Sequence, residues 1–169
     1  MQFNHYGGEA ALLAADLVNV PPRSQAGDVA AILRTHGVAG PDSDDDQASR
    51  LLGWAAQLAP CFGTDHVHEQ CRMVNDLLAM AASKPYISLH DGRPHLHYRS
   101  RDDDLVSRVR AITIAGLAYV ICFAGGSRLG RCARAGCARV FVDTSRNGRR
   151  RYCTLRCANT AAVRRHRRR

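Results

Sequence analysis

Four cysteines in the last 38 residues constrain this chain more than any other feature. Cys132, Cys137, Cys153 and Cys157 follow the pattern C-x4-C-x15-C-x3-C. Two close pairs around a short insert suit a segment too small to bury a core of its own. Each pair offers two thiolates from one local turn, and a tetrahedral ion joins the turns. The insert fits this plan. "RVFVDT" alternates as a strand, Asn147-Gly148 supplies a hairpin turn, and "RRRYC" is expected to return as the second strand. Cys153 then lies where that strand meets the last helix, with Cys157 on the same side in its first turn. The alternatives are disulfides or unligated thiols. Seven cysteines without a basic, apolar leader favour thiols or metal ligands over disulfides. One structural Zn2+ is therefore expected. A site closed by four thiolates leaves no position for water, so no enzymatic activity is expected.

Charge separates the same segment from the rest. From Arg128 onward there are fourteen arginines, no lysine and one acid, Asp143, a net +13, whereas residues 1–127 carry −4. A mildly acidic body with a strongly cationic tail points to a polyanion, nucleic acid before anionic membrane. Guanidinium matches phosphate in bidentate fashion, and cationic surroundings favour the thiolate form of cysteine. A membrane surface would want bulky apolar residues among the charges, and "AAV", 161–163, supplies few, so no membrane partner is expected.

A final helix from Thr154 to near Arg168 would be roughly 22 Å long at 1.5 Å per residue. Arg164, Arg165, Arg167, Arg168 and Arg169 surround its end and are assigned to phosphates. Arg156 and Asn159, near the metal, are candidates for base edges. Arg149, Arg150 and Arg151 on the returning strand, with Arg146 in the turn before it, would flank the groove. Against each arginine stands the plain alternative of a solvated charge, and against Asn159 a local hydrogen bond.

The first 125 residues read mostly as helices. "GGEAALLAADLVNV" is halted by Pro21-Pro22, and "AGDVAAILRTHG" ends at Gly37. Ser43 and Asp46 resemble a capping box before a face of Leu51, Leu52, Ala55 and Leu58, with Trp54 at its border. Val67, Cys71, Val74, Leu77, Leu78 and Ala81 form the next stripe. Around Asp91-Gly92 the rhythm changes to that of a β-hairpin. The longest helix follows, with an apolar face at Leu105, Val109, Ile112, Tyr119 and Phe123. Its uncharged part, 111–127, reads as a buried helix too short to span a bilayer. Cys61, Cys71 and Cys122 are expected to be packing residues. A second metal cluster of Cys61, His66, His68 and Cys71 is the weaker alternative, and His95 with His97 reads as one strand face. "GGSRLG", 125–130, is the natural boundary. The expected fold is mainly α: a helical domain with one small β-hairpin over residues 1–127, then a zinc-held β-hairpin–helix finger over 128–169.

Residues 131–169, with their paired cysteines, the "F-x-D-x-SRNGRRR-x-C" core and the basic terminal helix, resemble the CGNR zinc finger, a bacterial family. "ADLVN", Ala15 to Asn19, is similar to the motif that opens the ABATE domain preceding that finger, and "LLGWAAQL" is similar to a later helix of it. The resemblance implies a helical regulatory domain followed by a zinc finger, in proteins regarded as transcription regulators. The signature tetrapeptide here reads Cys157-Ala158-Asn159-Thr160. Ala for Gly improves helix propensity, whereas Thr for Arg removes a candidate DNA contact. The function expected is a DNA-binding transcription regulator in the cytoplasm, associated with the nucleoid. Its N-terminal domain would sense a small-molecule effector or form a homodimer. An RNA-binding or ribosome-associated module is the alternative. A nuclease is disfavoured, because Asp143 and His166 make no open metal site.

Overall fold

Local signals in the sequence set the helix ends. The computed structural model describes residues 5–38, 44–81, 86–88, 95–98 and 104–167. Helix α1 spans His5–Val18 and stops before Pro21. Helix α2, Ala26–Thr35, closes in a Schellman turn: the Val38 amide donates to the Leu33 carbonyl and that of Gly37 to Arg34, with Gly37 at φ 66°. Helix α3, Asp45–Leu58, is capped by Asp44, whose carboxylate accepts from the Gln47 amide at 2.7 Å. The cap thus sits one residue beyond the expected Ser43, which lies outside the described residues. Helix α4 covers Val67–Ala81 and α5 Leu105–Ala124, the latter capped by Asp104 on the Ser107 amide. Strands β1 (Tyr86–Ser88) and β2 (His95–His97) pair antiparallel, Tyr86 opposite His97. The Asp91-Gly92 turn lies outside the described residues.

Helix α5 is the hub. It starts six residues before the uncharged stretch and is, by length and composition alone, long and apolar enough to cross a membrane. Here it packs against α1, α3 and α4 and buries Val109, Ile114, Leu117 and Val120. Where α1 crosses it, Gly116 admits the backbone of Ala10 and Ala11, which a side chain at 116 would strike. Burial therefore wraps round the helix instead of following the expected stripe, and Phe123 is 62% exposed. Trp54 also departs from its expected border position. It is 1% exposed, and its indole donates to the Thr113 hydroxyl at 2.9 Å, while that hydroxyl donates to the Val109 carbonyl. On α4 the buried line is Gln70, Val74 and Leu77, with Val67 53% exposed. The reason is Gln70: its amide donates to the carbonyls of Cys61 and Gly126, which burial would otherwise leave unpaired.

The second hairpin corrects the expected pairing. Strand β4, Val140–Val142, pairs antiparallel with β3, Leu129–Arg131, not with the arginines after the Asn147-Gly148 turn. That turn exists, with Gly148 at φ 61°, but residues 149–151 carry no strand. The "GGSRLG" boundary becomes the 3-10 turn Gly126–Arg128 leading straight into β3. Leu129, Val140 and Val142 then join Ala11, Trp54, Leu58, Phe62 and Leu117 in one apolar cluster. Asn19 locks the joint. Its side-chain amide donates to the Val140 carbonyl and its oxygen accepts from the Val140 amide, both at 2.9 Å, as a neighbouring strand would.

Candidate metal centre

The two cysteine pairs come from different local devices. Cys132 follows β3, and its amide donates to the Arg139 carbonyl. Cys137 closes the same knuckle on Arg134, with Gly136 at φ 79° making the bend. Cys153 precedes and Cys157 sits within helix α6, Leu155–His166, whose N-cap Thr154 accepts from the Cys157 amide at 3.2 Å. The four sulfurs lie within 4.8 Å of one another. Cys137 and Cys153 are 3.8 Å apart, Cys153 and Cys157 3.5 Å, Cys157 and Cys137 4.0 Å. Zn–S bonds of about 2.3 Å in a tetrahedron put sulfurs about 3.8 Å apart. A disulfide needs about 2.05 Å, so none joins these thiols. The donor set fits one zinc ion bound by Cys132, Cys137, Cys153 and Cys157, closed and structural.

The surroundings favour the thiolate at Cys157 and Cys137 and oppose it at Cys153. Hydrogen bonds, first from Thr154 and then from Cys153 and Arg134, pull the Cys157 thiol down to about 6. The Arg139 backbone lowers the Cys137 thiol below its ordinary value, whereas burial pushes Cys153 up to about 12. Arg134 donates from Nε to the Cys157 sulfur at 3.2 Å, offsetting the charge of the bound thiolates. Phe141 packs on Cys132, Cys153 and Cys157, and Gly130 leaves room for its ring.

Asp143 holds the insert together and was not singled out as a site residue from the sequence. It is 1% exposed; its carboxylate accepts from the amides of Ser145 (2.9 Å) and Arg150 (2.7 Å). Burial works against its ionised form, yet these bonds and the nearby Arg128 charge hold its pKa below the usual carboxylate range. Arg128 bridges finger and body, donating to the carbonyls of Ala124, Asp143 and Ser145. The signal available beforehand was that Asp143 is the one acid among fourteen arginines.

The arginines divide into two groups. Arg150 lies over the Phe141 ring at 4.8 Å and donates to the carbonyls of Tyr152 and Cys153, so it builds the finger. Arg164 leans back to the Ala135 carbonyl at 3.4 Å. Arg146, Arg149, Arg151, Arg156, Asn159, Arg165 and Arg167 are exposed, and Arg168 lies outside the described residues. Helix α6 has 12 residues, about 18 Å at 1.5 Å each. It turns Cys157 inward and carries Leu155 (84% exposed), Asn159 and Val163 (51%) on its outward side, spaced by four. Leu155 is an apolar surface residue missed in the sequence because it sits between the cysteines. Thr160 turns its hydroxyl back to the Arg156 carbonyl.

The other thiols gather no second cluster among the described residues. Cys61 is fully buried, as expected of a packing residue, and its pKa is pushed up to about 11 by that burial. Cys71 is half-buried, and Cys122 is exposed, contrary to expectation. His66 and His68 are both exposed. No curated protein matches the chain. The family model of the CGNR zinc finger matches residues 128–169, and with the sulfur geometry above, that segment of the chain is a CGNR zinc finger.

Proposed function

We propose that this protein binds duplex DNA through α6 and acts as a transcription regulator, not as an enzyme. The observation that carries the reading is the outward side of α6. Leu155, Arg156, Asn159 and Val163 project from a helix fixed at its first turn by a metal ligand. Arg forks onto guanine, Asn onto adenine, and an apolar side chain meets a thymine methyl, so this set is one a major groove can accept. The exposed Arg146, Arg149, Arg165 and Arg167 supply phosphate contacts, and the +13 of the segment supplies the long-range attraction. The helical body is the place for effector sensing or self-association, and the cytoplasm, on the nucleoid, is the location that follows.

Anisotropy titrations of zinc-loaded protein against duplexes selected from genomic DNA test this. Asn159→Ala should lower discrimination at one base pair by about 1–3 kcal/mol, whereas Arg165→Ala should weaken all sequences alike and reduce the salt slope by about one. Tighter binding to duplex RNA or to anionic vesicles at matched salt would overturn the reading.

A further inference from the structure

A cleft of about 520 Å³ opens where the loop after α3 faces the finger. Arg131, Arg150 and Arg151 line it together with Thr64 and Asp65. Arg131 is fixed by donating to the carbonyls of Ala59 (2.9 Å) and Ala138 (3.3 Å), and Arg150 by those of Tyr152 and Cys153. Neutral carbonyls hold these guanidiniums in place without cancelling their charge. Among the described residues no carboxylate pairs with any of the three, and the guanidinium of Arg151 has no hydrogen-bond partner. The finger's own acid cannot serve, because Asp143 is taken up by the Ser145 and Arg150 amides. Like charges lining one concavity raise the local potential for an anion, and arginine forks suit a tetrahedral oxyanion. Asp65, in the same lining, would repel a bare anion and accept from a hydroxyl.

We propose that this cleft binds a phosphoryl group that carries a neighbouring hydroxyl. The phosphate comes from a free sugar phosphate or from an RNA backbone, whose ribose keeps its 2′-hydroxyl. The site joins body to finger, so occupancy would be felt by both, and it stands whether or not α6 reads DNA.

Ribose 5-phosphate titrated calorimetrically into the zinc-loaded full chain tests it. One saturable site is expected, weakened about tenfold by Arg151→Gln, the effect of losing a charge-assisted hydrogen bond. Arg23→Gln, exposed between α1 and α2 and outside the cleft lining, should change it less than about twofold, well under the loss of one such bond. Both variants should keep the wild-type melting curve. If the site is found, competition between ribose 5-phosphate and duplex RNA assigns the phosphate to an RNA backbone, and simultaneous binding assigns it to a free ligand. The proposal is overturned by the absence of saturable heat, or by equal weakening in the two variants.

Discussion

The body and the finger solve the same problem of stability with different materials. Residues 5–124 bury leucines, valines, Trp54 and Phe62 in two apolar clusters. The finger's own cluster buries only Phe141 and three zinc-ligand cysteines. Burial of apolar area, at about 25 cal/mol per Å², supports the first. In the second, an ion, a buried carboxylate and backbone hydrogen bonds must do what a core cannot. The β3–β4 hairpin crosses this division. By sequence it belongs to the finger, but Leu129, Val140 and Val142 are buried in the body's cluster. A metal-held segment can thus be anchored rigidly by lending its strands to a neighbour's core.

Removing the zinc should break the contrast most sharply. Structural zinc in finger peptides contributes an apparent 10–16 kcal/mol or about that, so chelation or Cys153→Ser should unfold α6 and both knuckles. Circular dichroism should lose about one short helix, and the main melting transition of the body should remain. Next in size is Asn19→Ala. It leaves the amide and carbonyl of Val140 unpaired, at a cost of about 2–4 kcal/mol for two half-buried groups, read as a lower Tm of the body with zinc still bound.

Asp143→Asn should cost about 2 kcal/mol at pH 7, since a charged acceptor of two amides is replaced by a neutral one. The pH dependence has a definite sign. The folded pKa lies below the unfolded value of about 3.9, so the stabilisation is complete above that pH and is lost as pH falls through the folded value. The gap between variant and wild type in urea titrations should therefore close in acid. Smallest is a pair of opposite sign. Gly148→Ala in the finger meets φ 61° and the Arg128 guanidinium at 3.1 Å and should cost about 1 kcal/mol. Gly53→Ala, on α3 with nothing within 4 Å, should gain about 0.5–1 kcal/mol.

The sequence was legible where one interaction type dominated locally. Cysteine spacing disclosed the metal site, because two ligand pairs are a local pattern. Caps and prolines bounded α1 and α2 for the same reason. The misreadings arose where partners are distant. Leu129–Arg131 sits in a glycine-containing stretch that reads as a linker, and only the body's core makes it a strand. Gln70 looks like a surface residue until the Cys61 and Gly126 carbonyls are brought to it. Trp54 lies at the edge of one helical face but is enclosed by α5 through Thr113. Asn19 and Val140 are 121 residues apart, beyond any periodicity.

Hydrogen exchange with and without chelator tests the division most directly. After zinc removal the amides of Cys157 and Ala158 in α6 should exchange at the rate of unstructured chain. Those of Leu129, Val140 and Val142 should keep their protection, because the body's core holds them. Simultaneous loss of protection in both sets would contradict the account, and so would protection of α6 that persists without metal.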